Sequence, residues 1–254
     1  MSTVALVTGA ARGVGRGVAL ALGDTGATVH VTDRESRHRR RSPLPGTVED
    51  TAEQVDARGG HGVAHVVDHA DGASALDPLV DAVRRTHGGL DLVVPNAFDG
   101  NALPFAPASF WELDPAHWTN MIDVGLRSHY ETVRAVVPLV LARRGLVVLT
   151  GYAAPDEEQV VGGHLVYDLA MAGISRLARS MHHDLARHGV TVLCLSPGFT
   201  ATEAIVAALG DALPPGVDDV ETPGRAVCTL LADPDVARHG GRTLTVADVL
   251  AGSA

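Results

Sequence analysis

Residues 4–17, VALVTGAARGVGRG, constrain the fold of this chain more than any other stretch: an apolar run of strand length breaks into a glycine-rich turn and then a helix-period segment. Strand, turn and helix in that order aim backbone N–H groups and a helix N-terminus at a dinucleotide pyrophosphate. Gly9 permits the tight turn, Gly13 lets the main chain approach the phosphates, and Gly15 lets the helix pack close to the strand. The next apolar run, residues 27–32, closes on Asp33, at the distance expected for a ribose-binding carboxylate. Glycines alone would equally serve a plain strand-to-helix turn; the ordered context and the acid favour the dinucleotide.

Further apolar runs at 28–33, 62–67, 90–95, 146–150, 191–196 and 243–246 alternate with helix-period segments. Strands buried on both faces and separated by helices predict an α/β fold with a doubly wound parallel sheet of about seven strands. A chain of 254 residues with 46% hydrophobic residues is large enough for one such core, and neither a repeat nor a linker divides it, so residues 1–254 are expected to form a single domain. Residues 42–46 and 211–222, rich in Pro and Gly, read as loops.

The net charge of −10 argues against nucleic acid as a partner. The one basic run, residues 37–41, is expected to be a solvated loop, with a clamp on a cofactor phosphate as the alternative. Cys194 and Cys228 lack metal or CxxC spacing and are expected to be reduced thiols. His182 and His183 are adjacent, and His65 and His69 straddle a strand end without an acidic or cysteine partner, so no metal site is expected. No apolar run approaches the ~20 residues that cross a bilayer, and residues 4–7 already read as a strand rather than a signal segment, so a soluble cytoplasmic protein is expected, without a membrane partner.

The spacing Thr8-Gly9-x-x-x-Gly13-x-Gly15, Asp68 in VVDHAD, Asn96-Ala97 after LDLVV, Tyr167 opening a helix, and Pro197-Gly198-x-x-x-Thr202 after VTVLCLS together resemble the short-chain dehydrogenase/reductase family along nearly the whole chain. SFWELDP, DVGLRSHYETV and RRGLVVLTG resemble the branch that contains dehydrogenase/reductase member 1. The resemblance implies a Rossmann fold and a nicotinamide cofactor held by Thr8, Gly9, Arg12, Gly13, Val14, Gly15, Asp33, Arg34, Asp68, Asn96, Ala97, Pro197, Gly198 and Thr202. It also implies a substrate lid at about residues 199–222, and a homodimer or homotetramer joined through the helical segments near 115–136 and 167–188. Asp33 suits a ribose 2′-hydroxyl and repels a 2′-phosphate, whereas Arg12 and Arg34 stand where NADP-binding members carry a cation. The carboxylate is the more directional group, so NAD is expected, with NADP as the alternative. Asp68 is expected to contact adenine, or otherwise to cap a loop.

The catalytic positions depart from the resembled pattern. Tyr167 opens YDLAM, so Met171 stands where the family has the lysine that lowers the tyrosine pKa. The serine position falls on Gly151 after Thr150, and the asparagine position reads as Asp123. Tyr167, Thr150 and Asp123 are therefore the catalytic candidates, with Tyr167 expected to titrate near the unperturbed ~10. The interval from Gly151 to Tyr167 runs about three residues over the family's, with Asp156, Glu157 and Glu158 in the excess, so Thr150, Tyr152 or His164 are candidates to supply the missing group; His164 by itself reads as a solvent-facing loop residue. Phe105, Phe110, Trp111 and Trp118 read equally as pocket lining or as helix and subunit packing. Residues 98–107 and 199–220 are expected to line the pocket of a small-molecule substrate.

The leading functional expectation is a nicotinamide-dependent oxidoreductase of altered mechanism, acting on an activated iminium, quinone or enone substrate. The alternatives are a non-redox cyclase, dehydratase or isomerase on the same scaffold, and a catalytically silent dinucleotide-binding protein.

Overall fold

In the computed structural model, residues 2–100, 103, 108–152, 160 and 164–253 are described. Among them seven strands form one sheet: β1 (Val4–Thr8), β2 (Thr28–Asp33), β3 (His61–Val66), β4 (Leu92–Val94), β5 (Leu146–Thr150), β6 (Thr191–Ser196) and β7 (Thr243–Thr245), in the order β3-β2-β1-β4-β5-β6-β7 with every pairing parallel. The strand order reverses between β1 and β4, and the register places Thr8 beside Thr32, and Val7 beside Val94, at one rim. A ligand crevice belongs at this reversal, outside the carboxyl ends of the strands. β4 is shorter than its apolar run suggests, because Leu90 donates its N–H to Leu139 O at 3.0 Å instead of entering the ladder, and Pro95 has no N–H to give.

Helices cover both faces. α1 (Gly13–Asp24), α2 (Val48–Ala57), α8 (Thr222–Ala232) and α9 (Val246–Ala251) bury Val18, Leu22, Val55, Val227, Leu230 and Val249 against one face. α3 (Asp77–Thr86), α5 (Arg127–Arg143) and α6 (Leu165–Leu185) bury Leu79, Val83, Val136, Leu139, Ile174 and Ala178 against the other. The short α4 (Ala116–Trp118) runs into a π-helical stretch, Thr119–Leu126, before α5, and α7 (Glu203–Leu209) lies in the connection from β6 to α8. The protein is a single-domain α/β molecule of the doubly wound kind.

The basic run is the exposed loop expected from sequence, and three of its arginines are paired. Arg37 pairs with Asp50 and Glu53 of α2, Arg40 with Glu35 and Arg41 with Asp68. Glu35, 1% exposed, organises this segment: it accepts the N–H groups of Arg41 and Ser42 and faces the Arg12 guanidinium at 3.5 Å. A buried carboxylate needs such partners, and they gather the arginines around it.

Burial pushes the Cys194 and Cys228 thiols up to about 11, and both are free. His65 and His69 turn apart: His65 Nε2 lies 2.9 Å from His30 Nδ1, whereas His69 Nε2 lies 2.8 Å from the Thr32 hydroxyl. Among the described residues no group of three potential ligands is arranged to hold a metal, and no helix is long and apolar enough to cross a membrane.

Candidate active site

The rim above β1 and β4 is bound together by Thr8 and Asn96. Thr8 Oγ1 accepts the N–H groups of Asn96 and Ala97 at 2.8 and 3.1 Å, and Asn96 Nδ2 donates to the Thr8 and Gly9 carbonyls at 3.0 and 3.2 Å. Gly15 faces this knot so closely that a Cβ there would sit 2.4 Å from Gly9 O, and the turn itself needs left-handed backbone at Gly9 and Gly13, with φ of +63° and +58°. Val14 leans on the core, so α1 leaves the rim with its N–H groups aimed into the crevice. Across the crevice Pro197 accepts the Thr200 hydroxyl, Gly198 is left-handed, and Thr202 caps α7 and faces Gly13.

Asp33 closes β2 beside this turn, its two oxygens accepting the N–H groups of Ala11 and Glu35 at 3.2 and 3.1 Å. Burial holds its carboxyl above the usual range against the pull of those N–H groups. Both arginines that would meet a 2′-phosphate are engaged. Arg12 is spread over Glu35 and the carbonyls of Leu44, Pro45 and Gly46, and Arg34 bridges to Asp99 at 2.6 Å. Asp68 fills the capping role: one carboxylate oxygen accepts the Ala70 N–H, and the other is paired with Arg41 at 2.6 Å.

The catalytic candidates divide. Tyr167, in the first turn of α6, meets the Phe98 ring edge-on at 5.9 Å. Its phenol is pushed up to about 12, by burial first and by Tyr152 second, well beyond the unperturbed value expected from sequence. One turn later Met171 is buried in the core, and the whole chain contains no lysine: all 20 basic Lys/Arg positions are arginine, so no ammonium side chain can substitute from elsewhere. Thr150 sits at the rim, its hydroxyl shared between Pro95 O at 3.3 Å and Asn96 Oδ1 at 3.1 Å. Gly151 has no room for a larger side chain, because a Cβ would lie 2.8 Å from Cys194 Sγ and 3.2 Å from Ile174 Cγ2.

Asp123 lies apart from this group. Its side chain is 41% exposed and faces Arg127 at 3.7 Å, one turn along the same helix. The π-helical stretch turns Gly125 inward instead, and a Cβ on Gly125 would meet the Phe98 ring at 2.7 Å. Its carbonyl faces Nδ1 of the buried His129 at 2.7 Å, while His129 Nε2 faces Thr150 O at 3.2 Å. Burial lowers this imidazole to about 4 despite the carbonyls that favour its cation. Phe98 opens the stretch expected to line the pocket, whereas Gly125 and His129 were not singled out from sequence, where a lone glycine and a lone histidine on an apolar helix face carry no signal.

His164 is buried rather than solvent-facing. Its Nδ1 caps α6 by accepting the Tyr167 N–H at 3.3 Å, and its ring meets His117 edge-on at 4.6 Å. The imidazole takes the place of a Ser or Asp cap, which is why the loop reading fails. Phe110 and Trp111 meet edge-on at 5.1 Å, and Phe110, Trp111 and Trp118 are 61%, 73% and 50% exposed. Phe105 and Asp156 to Glu158 lie outside the described residues.

A family model described as short chain dehydrogenase matches residues 3–210. The chain belongs to the short-chain dehydrogenase family. Among its relatives, the mouse (Mus musculus) dehydrogenase/reductase SDR family member 1 is 31% identical over 97% of this chain and 80% of its own length, which places the chain near that branch. The 3-oxoacyl-[acyl-carrier protein] reductase of Brucella melitensis, solved with NAD, has a similar structure, with 26% identity, a TM-score of 0.80 and coverage of 97% of this chain and 96% of that one. A short chain dehydrogenase of Burkholderia cenocepacia J2315, solved with NADP, shares 26% identity at a TM-score of 0.77, covering 96% of this chain and 95% of that one.

Proposed function

We propose that this short-chain dehydrogenase binds NAD(H) and transfers hydride to a substrate whose electrophilic carbon is already activated, such as an iminium, quinone or conjugated enone. One contrast supports the reading: Thr8 and Asn96 tie the β1/β4 rim to the glycine-rich turn that opens α1, while burial and Tyr152 push the Tyr167 phenol up to about 12. The crevice fits the cofactor on this chain's own evidence, since the Gly13 N–H already holds an anion, the Glu203 carboxylate, at 2.7 Å. The bound nicotinamide would supply the hydride. Thr8, Gly9, Gly13, Val14, Gly15, Asn96, Ala97, Pro197, Gly198 and Thr202 would hold and orient the dinucleotide, and Asp33 and Asp68 its adenosine end. Phe98 and Met171 keep water from the reacting face, and Tyr167 donates a hydrogen bond without ionising. A polarised substrate needs little more, because orientation supplies much of the rate.

The test is to incubate the protein with NADH and a panel of quinones, enones and iminium ions and follow nicotinamide absorbance together with product. Oxidation of NADH coupled to product supports the proposal. Conversion without NADH oxidation would point to a non-redox enzyme, and binding without conversion to a silent dinucleotide-binding protein.

NAD(H) is expected to bind more tightly than NADP(H). Asp33 offers the ribose an acceptor and repels a phosphate, and the two neighbouring arginines are neutralised by Glu35 and Asp99. Calorimetry should show the preference, and Asp33→Gly should shrink it about tenfold or more, since a charged hydrogen bond is worth about 1.5–3 kcal/mol. An unchanged ratio in Asp33→Gly would refute the assignment.

We further infer a soluble cytoplasmic homodimer or homotetramer with the lid at about residues 199–222. Tyr130 on α5 and Leu165 and Leu169 on α6 are 44–47% exposed, an apolar surface suited to a second copy. Light scattering at micromolar concentration should give a multiple of 26.3 kDa; a monomer mass would remove the assembly.

A further inference from the structure

The anion held at the start of α1 belongs to the chain itself. Glu203, in the first turn of α7, places Oε2 2.7 Å from the Gly13 nitrogen and Oε1 3.3 Å from Arg16 Nη1. Arg16 is fixed in turn by Gln54 Oε1 of α2 at 2.7 Å, so the carboxylate is held by two groups of α1, one of them braced from α2, and is only 18% exposed. Thr202 caps α7 through the Ile205 N–H and faces Gly13, so the segment that carries Glu203 is seated on the glycine-rich turn.

We propose that Glu203 is a latch that pins the lid segment to the dinucleotide's phosphate position and is displaced when the dinucleotide binds. The proposal rests on the dinucleotide reading of the crevice. One N–H cannot serve two anions, and a carboxylate is repelled by a phosphate placed beside it. The pyrophosphate therefore takes the Gly13 N–H only as Glu203 leaves it. Leaving frees α7, whose residues 203–205 are part-buried and 206–209 exposed, to rearrange over the substrate. The lid thus senses whether the cofactor is present before substrate arrives, and cofactor affinity is lowered by the contact it must break.

Glu203→Gln removes the charge and Glu203→Asp shortens the reach by one methylene, and both leave the fold's core untouched. NADH binding, followed by calorimetry and by quenching of protein fluorescence, is expected to tighten about tenfold in both variants, as is binding of inorganic pyrophosphate, which reads the phosphate position without nicotinamide or adenine. Thermal melting of each variant in the absence of ligand confirms that the comparison is between folded proteins. Wild-type affinity, or weaker binding, in both variants while the wild type binds NADH normally would overturn the latch and leave the dinucleotide reading intact. Failure of the wild type and both variants to bind NADH or NADPH would overturn the dinucleotide reading, and the latch with it.

Discussion

Reduction of a plain, unactivated ketone by the wild-type protein is expected to run about 10²–10⁴-fold slower than it would with an effective proton donor, the factor that general acid–base catalysis contributes. The cause lies in the residues around one phenol. A proton donor works best when its pKa lies near the working pH, and Tyr167 is pushed up to about 12 by burial, with Tyr152 adding to it. Met171 puts a thioether where a cation would stabilise the phenolate, and no lysine exists anywhere in the chain to replace it. Met171→Lys should therefore lower the Tyr167 pKa, visible as an earlier tyrosinate band in an ultraviolet titration, and raise ketone reduction. Gly151→Ser is expected to do the reverse of restoring a carbonyl-binding hydroxyl. Its Cβ would press on Cys194 Sγ at 2.8 Å and on Ile174 at 3.2 Å, and overpacking of this kind costs about 1–3 kcal/mol. Adding Cys194→Ala should relieve that cost. Ordinary ketone turnover by the wild type, or a Tyr167→Phe variant as active as wild type on the true substrate, would defeat the argument.

Acid is expected to unfold the protein over a narrow range below pH 6. His30 is lowered to about 3 by burial and then by the neighbouring His65, His87 and His61, while His69 and His129 are lowered to about 4, chiefly by burial. Each is neutral when folded and would take up a proton at its ordinary 6.5 once exposed. A base whose folded pKa lies below its unfolded one keeps its full stability above the unfolded value and loses it as the pH falls toward the folded value. The window therefore opens near pH 6.5 and extends to about 4 for two of the three. Each histidine removes about 1.4 kcal/mol per pH unit, and three acting together remove about 8–13 kcal/mol over two or three units, comparable to a typical stability of about 5–15 kcal/mol. Melting followed by circular dichroism from pH 8 to pH 4 should show a steep fall, and His30→Leu, which also removes an unpartnered buried Nε2, should flatten it. A melting temperature independent of pH between 7 and 5 would show that these imidazoles are already hydrated.

The sheet was legible because its information is local: each strand is a continuous apolar run, and the glycines of the first turn are demanded by backbone approach that a pattern of residue types records. The same holds for Thr8, Asp33 and Asn96, whose spacing identifies a shared rim. The catalytic half was less legible because its residues act through distance. Asp123 and Gly125 are two positions apart on one helix, and only the π-helical stretch decides that the glycine turns inward and the acid outward. His164 could not be assigned as a cap without knowing where α6 begins. The pairing of arginines 37, 40 and 41 depended on acids from α2 and from the residues just beyond β2 and β3, whose approach no local pattern carries.

The absence of lysine also simplifies enzymology on this protein. In an enzyme with both phenols and ammonium groups, the alkaline limb of a pH–rate profile has two candidate sources. Here arginine keeps its charge beyond pH 12, so among the side chains only three tyrosines and two cysteines remain to lose a proton above pH 8. An alkaline limb that survives Cys194→Ala and Cys228→Ala, and moves with Tyr167→Phe, is thereby assigned to a single oxygen.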